Sequence, residues 1–375
     1  MMKAIELFCG IGGFRLALDE LGYDTVFSND ISKKATTVYS SVFGTSTLAE
    51  GDIYANIEKI PVHELLTAGF PCQPFSSAGK KQGIGDPRGT LFQAIVSVLE
   101  MRTPQFFVLE NVKRLISMED GIHFATILNA LTSSGYIVEW RVMNASQFGL
   151  PQSRERILIT GYRAQEVQSK LHLIEPSEGV TLTRDPNTSM NWRNLVDNKK
   201  SFKNWGICHN GMYFSQNIHY FPFVQERLLR SVLETEVDNS FDFTESTRER
   251  ILNSEYVNRF YNGVQILYNQ KGGARMGYSI FGIEGVAPTL TSTASRHYER
   301  YAIGGGYRRL TNVEYARIQG FPDNHCSSVS VYDQYALFGN AVPPPMVKWA
   351  IKRLTQDLHV TMTNPQEQME LFANV

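Results

Sequence analysis

The chain opens on a pattern that restricts the folds available to it. Ala4-Ile5-Glu6-Leu7-Phe8 reads as a short strand, Cys9-Gly10-Ile11-Gly12-Gly13 as a turn, and Phe14-Arg15-Leu16-Ala17-Leu18 as the start of a helix. Strand, glycine turn and helix begin a nucleotide-binding α/β unit, whose ligand sits at the carboxyl ends of the strands. A second strand, Thr25-Val26-Phe27-Ser28, ends at Asn29-Asp30, where a carboxylate suits a ribose diol. At the third site a second acidic residue follows, in Gly51-Asp52-Ile53. Taken singly, each carboxylate is equally a helix N-cap or a solvated turn residue. The glycine turn and the two carboxylates, at successive strand ends, together point to one nucleoside ligand. The turn lacks the third glycine of a dinucleotide fingerprint. It therefore suits a cofactor with adenosine but no pyrophosphate, and S-adenosylmethionine fits that description.

A second feature is Gly69-Phe70-Pro71-Cys72-Gln73-Pro74-Phe75-Ser76. The two prolines fix φ and withhold backbone donors, so the segment is a rigid loop presenting one thiol. Cys72 is either a buried, inert cysteine or a nucleophile. The glycine-rich run at 79–89 carries basic residues and reads as a cationic lid or as an ordinary surface loop. Thr90 to Gln93 forms a capping box for an expected helix at 91–101.

Phe106-Phe107-Val108-Leu109 is a buried-type strand that ends in Glu110-Asn111-Val112. A glutamate there is costly unless it is hydrogen-bonded or used. Two more strands, 137–142 and 156–160, are joined by a connection carrying Gln152, Arg154 and Arg156. Alternate spacing points the two arginines the same way on an extended chain. Each alone suits a surface salt bridge; together they suit a phosphate or a base carbonyl.

From about residue 165 the βα rhythm gives way to Pro, Trp, Asn and Ser. An amphipathic helix is expected at 224–233, and a capping box at Ser246 and Glu249 starts another. The stretch from Ala287 to Arg300 mixes Thr, Ser, Arg and Tyr, which fits a DNA-contacting surface or a polar β-rich insert. Regular sequence returns with a capping box at Thr311 and Glu314, a helix ending at Gly320, and a last helix from Met346 to about Leu358. The expected organisation is a catalytic and cofactor-binding domain at 1–165, completed by 308–375, with a smaller domain at 166–307.

The 375 residues carry a net charge of −1, which excludes a globally basic nucleic-acid coat but not a local basic cleft. Four widely spaced cysteines, with no paired Cys or His spacing, predict reduced thiols and no structural metal. No apolar run reaches membrane-spanning length. No signal peptide is expected, because strand-like sequence begins by Lys3.

Taken in order, these motifs resemble the bacterial DNA (cytosine-5) methyltransferases. The matching segments are Phe8-x-Gly10-x-Gly12-Gly13, the Pro71-Cys72-Gln73 loop, Glu110-Asn111-Val112 and Gln152-Ser153-Arg154-Glu155-Arg156. They continue with Arg317-x-Gln319-Gly320-Phe321-Pro322 and Gly339-Asn340-Ala341-Val342-Pro343. They cover 1–160 and 308–350, with the variable target-recognition region between them. The resemblance implies an α/β fold: a Rossmann-like S-adenosylmethionine-dependent domain with a smaller, irregular target-recognition domain.

It also implies roles. Cys72 adds to cytosine C6, Glu110 contacts N3 and N4, Arg156 holds O2, and Arg154 supports the loop and a phosphate. Phe8, Gly10, Gly12, Asp30, Ile31, Asp52, Ile53, Pro71, Leu91, Asn340 and Val342 form the cofactor pocket. The family usually has glutamate where this chain has Asp30. Gln73, Ser76, Arg88, Thr289 and Arg296 face DNA. Implied too are S-adenosylmethionine without a metal, double-stranded DNA as partner, a cognate restriction endonuclease, a monomer, and a cytoplasmic, nucleoid-associated location. Two rivals remain open at this point: an RNA cytosine-5 methyltransferase on the same scaffold, and a catalytically silent DNA-binding protein.

Overall fold

The computed structural model describes residues 1–71, 90–163, 193–196, 202–218, 223–269, 279–292 and 300–357. The glycine turn does join a strand to a helix: β1 (Lys3–Leu7) leads to α1 (Gly13–Glu20). Then follow β2 (Asp24–Asp30), α2 (Lys33–Phe43), β3 (Leu48–Glu50), α3 (Ile53–Asn56), β4 (Leu65–Gly69) and α4 (Thr90–Arg102). Next come β5 (Phe106–Val112), α5 (Ile122–Ser133), β6 (Tyr136–Asn144) and β7 (Glu155–Arg163). Three more strands, β8 (Arg193–Asn194), β9 (Trp205–His209) and β10 (Met212–Gln216), complete one ten-stranded sheet.

Its order is β3-β2-β1-β4-β5-β7-β6-β9-β10-β8. The first five strands are parallel, and β7 runs antiparallel to both β5 and β6. Strand order reverses between β1 and β4, which opens a crevice at their carboxyl ends. The apolar runs are continuous because both faces are covered. Successive side chains then go to opposite layers. Phe107 and Leu109 join one core with Ile95, Phe124 and Leu128, while Phe106 and Val108 join another with Phe14, Leu18 and Val347.

The second sheet holds β11 (Glu255–Tyr261), β12 (Val264–Asn269), β13 (Ser279–Phe281), β14 (Tyr301–Ile303) and β15 (Gly306–Arg308), in that order, after α6 (Glu245–Leu252). The chain then returns through α7 (Asn312–Gln319), α8 (Val331–Asn340) and α9 (Pro344–Lys352). The Thr311–Glu314 capping box is present, and Gly320 ends α7 in the left-handed region. Among the described residues no helix is long and apolar enough to cross a membrane.

Several expectations need correction. Residues 193–216 were expected in the smaller domain, but β9 pairs antiparallel with β6 and extends the large sheet. Similarly, α7 and α8 share a core with the small sheet, through Tyr315, Ile318 and Phe338 against Phe281 and Tyr301. The helix expected at 224–233 is reduced to one 3-10 turn, Leu229–Val232. There the amides of Leu229 and Arg230 donate to the carbonyls of Gly285 and Ile283, so tertiary partners displace the helical ones. The helix expected from the Ser246–Glu249 box starts earlier, with Thr244 as N-cap and no side-chain cap bond. The last helix starts at Pro344, which is free to sit where no amide is needed, and ends in a π turn, Arg353–Asp357.

Candidate active site

The crevice between β1 and β4 deepens into a cavity of about 460 Å³. One wall is the turn after β1. Phe8 adopts a φ of 56°, a left-handed conformation that costs roughly 1–2 kcal/mol for a residue with a side chain. The turn closes by hydrogen bonds from Cys9 N to Asn29 O and from Gly12 N to Cys9 O, at 2.9 and 2.8 Å. Asp30 accepts from Gly10 N at 2.8 Å and from Ser32 N at 2.7 Å. Its two oxygens thus hold the strand end and the glycine turn in register. Burial raises its pKa, against the pull of those amides.

The glycines of this turn have different duties. Among the described residues, a Cβ on Gly10 (φ 53°) would meet no atom within 4 Å beyond its chain neighbours, so the backbone there is approachable. A Cβ on Gly12 (φ 82°) would lie 2.3 Å from the Phe43 ring. Close packing of α1, not access to the cavity, requires a glycine there.

The opposite wall is the end of β5 and the start of β7. Antiparallel pairing aligns Val112 with Arg156 and Glu110 with Leu158. Arg156 Nε then reaches Glu110 Oε1 at 2.8 Å, with each side chain 12% exposed. Burial raises the pKa of Glu110, although Arg156 and Arg154 both pull it down. Asn111 is buried and donates to Phe70 O at 2.9 Å, which pins the chain just before Pro71. Pro71 lines the cavity, as do Gly339, Asn340, Ala341 and Val342 from the end of α8 onward.

Phe8, Gly10, Asp30, Pro71, Glu110, Arg154, Arg156, Asn340 and Val342 therefore converge on one cavity. Other expected residues do not line it. Gly12 is packed as described. Ile31 is 74% exposed. Asp52 caps α3 by accepting from Tyr54 N at 2.8 Å, and Ile53 is buried in the core. Leu91 packs against that same core. Thr289 is half-buried, and its hydroxyl donates to Ser153 O at 2.6 Å. Cys72, Gln73, Ser76, Arg88 and Arg296, with the loop at 79–89, lie outside the described residues.

Arg154 needs a correction. It lines the cavity beside Arg156, but it is 1% exposed, with donors on the carbonyls of Leu290, Gly339 and Ala341 at 2.9 Å each. Three of its five N–H donors are thus taken up by the backbone, and its Nε has no partner among the described residues. Sequence reasoning did not anticipate the burial of two polar residues. Gln152 is fully buried, bonded to Leu290 N and Gln319 Oε1 at 3.0 Å. Glu6 is fully buried in β1, beside the Tyr39 hydroxyl at 3.2 Å. For Glu6 the signal was present: one carboxylate inside an apolar strand. Gln152 stands in the matching segment before the arginines, but nothing local marks it as buried.

Cys9, Cys208 and Cys326 are buried, and burial raises the pKa of each thiol, in the last two to about 12. Among the described residues no group of three or more His, Cys, Asp or Glu is placed to hold a metal ion.

A strained turn at the crossover of a parallel sheet, facing a buried acid–arginine pair across one cavity, defines a nucleotide-cofactor enzyme of the α/β class. The chain matches the C-5 cytosine-specific DNA methylase model over residues 2–356 and so belongs to that family. It is a DNA (cytosine-5-)-methyltransferase. It is 31% identical to the Type II methyltransferase M.NlaX of Neisseria lactamica, over 93% of this chain and 94% of that protein. It is 31% identical to M.HhaI of Haemophilus parahaemolyticus, over 91% and 90% respectively. Among solved structures, the S. pombe Dnmt2 methyltransferase shares the fold, with a TM-score of 0.63 at 19% identity, covering 96% of this chain and 99% of that one.

Proposed function

We propose that the protein methylates C5 of one cytosine within a specific double-stranded DNA sequence, using S-adenosylmethionine, and so protects DNA from a cognate restriction endonuclease. One observation carries the reading. The Glu110–Arg156 pair and the Phe8–Gly10–Asp30 turn face one cavity, at whose edge stands Pro71, the residue before Cys72. The cofactor fits this cavity: its volume suits a nucleoside-sized ligand, and the missing Gly10 side chain leaves backbone approachable. When bound, S-adenosylmethionine supplies an electrophilic methyl group. Phe8, Gly10, Asn340 and Val342, which line the cavity, would hold it, while Asp30 shapes the turn.

Cytosine is a poor nucleophile at C5. The Cys72 thiolate attacks C6, forming a carbon–sulfur bond and moving the ring π electrons toward N3. Glu110 donates a proton to N3, and its raised pKa keeps that proton available nearer neutrality. Arg156 holds O2 while it neutralises Glu110 in the resting site. The resulting enamine is nucleophilic at C5, the position that would accept the methyl group supplied by the bound cofactor, with S-adenosylhomocysteine as the leaving group. Loss of the C5 proton then restores the ring and expels the Cys72 thiolate. C6 is inaccessible inside a duplex, so the base is flipped out at a cost of a few kcal/mol. The chain acts as a monomer.

Base-resolution methylation mapping of DNA from cells expressing the protein gives the target sequence. A duplex with 5-fluorocytosine at that position, given S-adenosylmethionine, should form a stable covalent adduct that Cys72→Ser abolishes. No adduct with the wild type, or transfer to RNA but not to duplex DNA, would overturn the reading.

A further inference from the structure

Residues 152–154 sit at the meeting point of three chain segments. Ala287 N donates to Pro151 O and Ser153 N to Ala287 O, both at 2.8 Å, which joins this stretch to residues 287–291. Leu290 N donates to Gln152 Oε1 at 3.0 Å, and Thr289 Oγ1 to Ser153 O. Gln152 Nε2 donates to Gln319 Oε1, and Gln319 Nε2 in turn to Phe338 O. Arg154 closes the set, with Nη1 on Leu290 O and Nη2 on both Gly339 O and Ala341 O. The segments also touch directly: a Cβ on Gly339 would lie 2.1 Å from Thr291 O.

We propose that Arg154 is a positioning residue that makes the segment at 287–291 and the cavity loop at 339–342 move as one. Through it, occupancy of the cofactor cavity and engagement of DNA strengthen each other. This rests on the functional reading above, in which 339–342 borders the cofactor and 287–291 leads toward DNA.

The physical case is the cost of separation. Arg154 is a buried cation: burial and neighbouring Arg156 push its pKa down to about 9, against which three carbonyl acceptors and nearby Glu110 hold the charge. Withdrawing either segment leaves a buried charged donor unsatisfied, which costs more than losing a neutral hydrogen bond. The planar fork spans both segments at once; an ammonium cannot hold that geometry. Arg156, two residues on, carries the same stretch to Glu110, so displacement at either segment also reaches that pair. Two sites joined by one rigid element have a coupling free energy, and the coupling is reciprocal.

The test is a thermodynamic cycle. S-adenosylhomocysteine affinity is measured by calorimetry with and without a duplex carrying the mapped site, for the wild type and for Arg154→Lys. The wild type should bind S-adenosylhomocysteine about tenfold tighter with DNA than without. In Arg154→Lys that ratio should fall toward one. A merely structural role would lower both affinities and the melting temperature and leave the ratio intact. A wild-type ratio in the variant, or a wild-type ratio of one, overturns the proposal.

An independent readout needs no DNA: S-adenosylhomocysteine should slow amide exchange at Leu290 in the wild type and not in the variant. If Arg154→Lys does not fold, Gln152→Glu replaces it, since it keeps the acceptor for Leu290 N and loses the donor to Gln319. A wild type that binds no S-adenosylhomocysteine fails the functional reading itself, and this inference with it.

Discussion

On the β1–β2 side of the cavity, Asp30 is held by two backbone amides, one from the glycine turn after β1 and one from its own turn after β2. On the β5–β7 side, Glu110 is held by Arg156, a long side chain from another strand. Burial raises the pKa of both carboxyls, yet they are built for different tasks. Amides fixed by a turn cannot follow a ligand, so Asp30 sets shape. A side-chain partner can re-aim where a backbone amide cannot, so the Glu110–Arg156 pair is the adaptable wall. One wall is preorganised by backbone and the other by a pair of opposite charges.

The comparison breaks most visibly at Arg156. Arg156→Ala should lower kcat/KM by about 10²–10⁴, through lost orientation and proton transfer. The assay is labelled-methyl incorporation into the mapped duplex. Asp30→Asn should instead weaken S-adenosylhomocysteine binding about tenfold, because the amide retains one acceptor and places a donor against the second N–H. Equal losses of kcat in both variants would erase the distinction between the walls.

The two glycines sharpen it further. Gly12→Ala should cost about 2–3 kcal/mol of stability, by forcing a methyl group into the Phe43 ring at a left-handed residue. Gly10→Ala should cost about 1 kcal/mol, from backbone strain alone, and should chiefly weaken cofactor binding, since its methyl group meets open cavity. Chemical unfolding and calorimetry separate the two. A Gly10 variant as unstable as the Gly12 variant would show that the cavity wall is packed there.

The smallest effect concerns Glu6, under the same turn. Burial lifts its carboxyl from 4.5 to about 8, with Tyr39 and Arg15 opposing and Asp30 adding to the rise. The folded state therefore binds this proton more tightly than the unfolded chain does. Its stabilising contribution is complete below about pH 4.5 and is lost as pH rises through about 8. Glu6→Gln keeps a neutral, hydrogen-bonding side chain, so the fall in melting temperature between about pH 6 and about pH 9 should flatten. An unchanged slope would mean that Glu6 is ionised in the fold.

The parallel half of the large sheet was legible in the chain because its signals are local. An apolar run between a turn and a carboxylate is a buried strand whatever lies beside it, and β1, β2 and β5 fell where expected. The smaller domain was less legible. Residues 224–233 carry helical periodicity, yet the amides of Leu229 and Arg230 bond to residues more than fifty positions away. Nothing in residues 193–216 announces that β9 will pair with β6. Asp52 illustrates the ambiguity at one residue: a carboxylate after Gly51 reads as a ligand contact or an N-cap, and here it caps α3.

The sequence by itself determined the glycine turn, the acid at the end of β5 and the arginines before and within β7, because each is a short-range chemical requirement. It also determined the family, through the order of those motifs. Only the tertiary structure decided what each group is free to do. Arg154 and Arg156 are two residues apart and chemically identical. One is consumed by three carbonyls from distant segments, and the other faces Glu110. Gly10 and Gly12 differ in the same way, one beside open cavity and the other against Phe43. Spacing along a chain states what a residue is able to do. The partners that folding brings to it, from far along the chain, decide which of those capacities remain unspent.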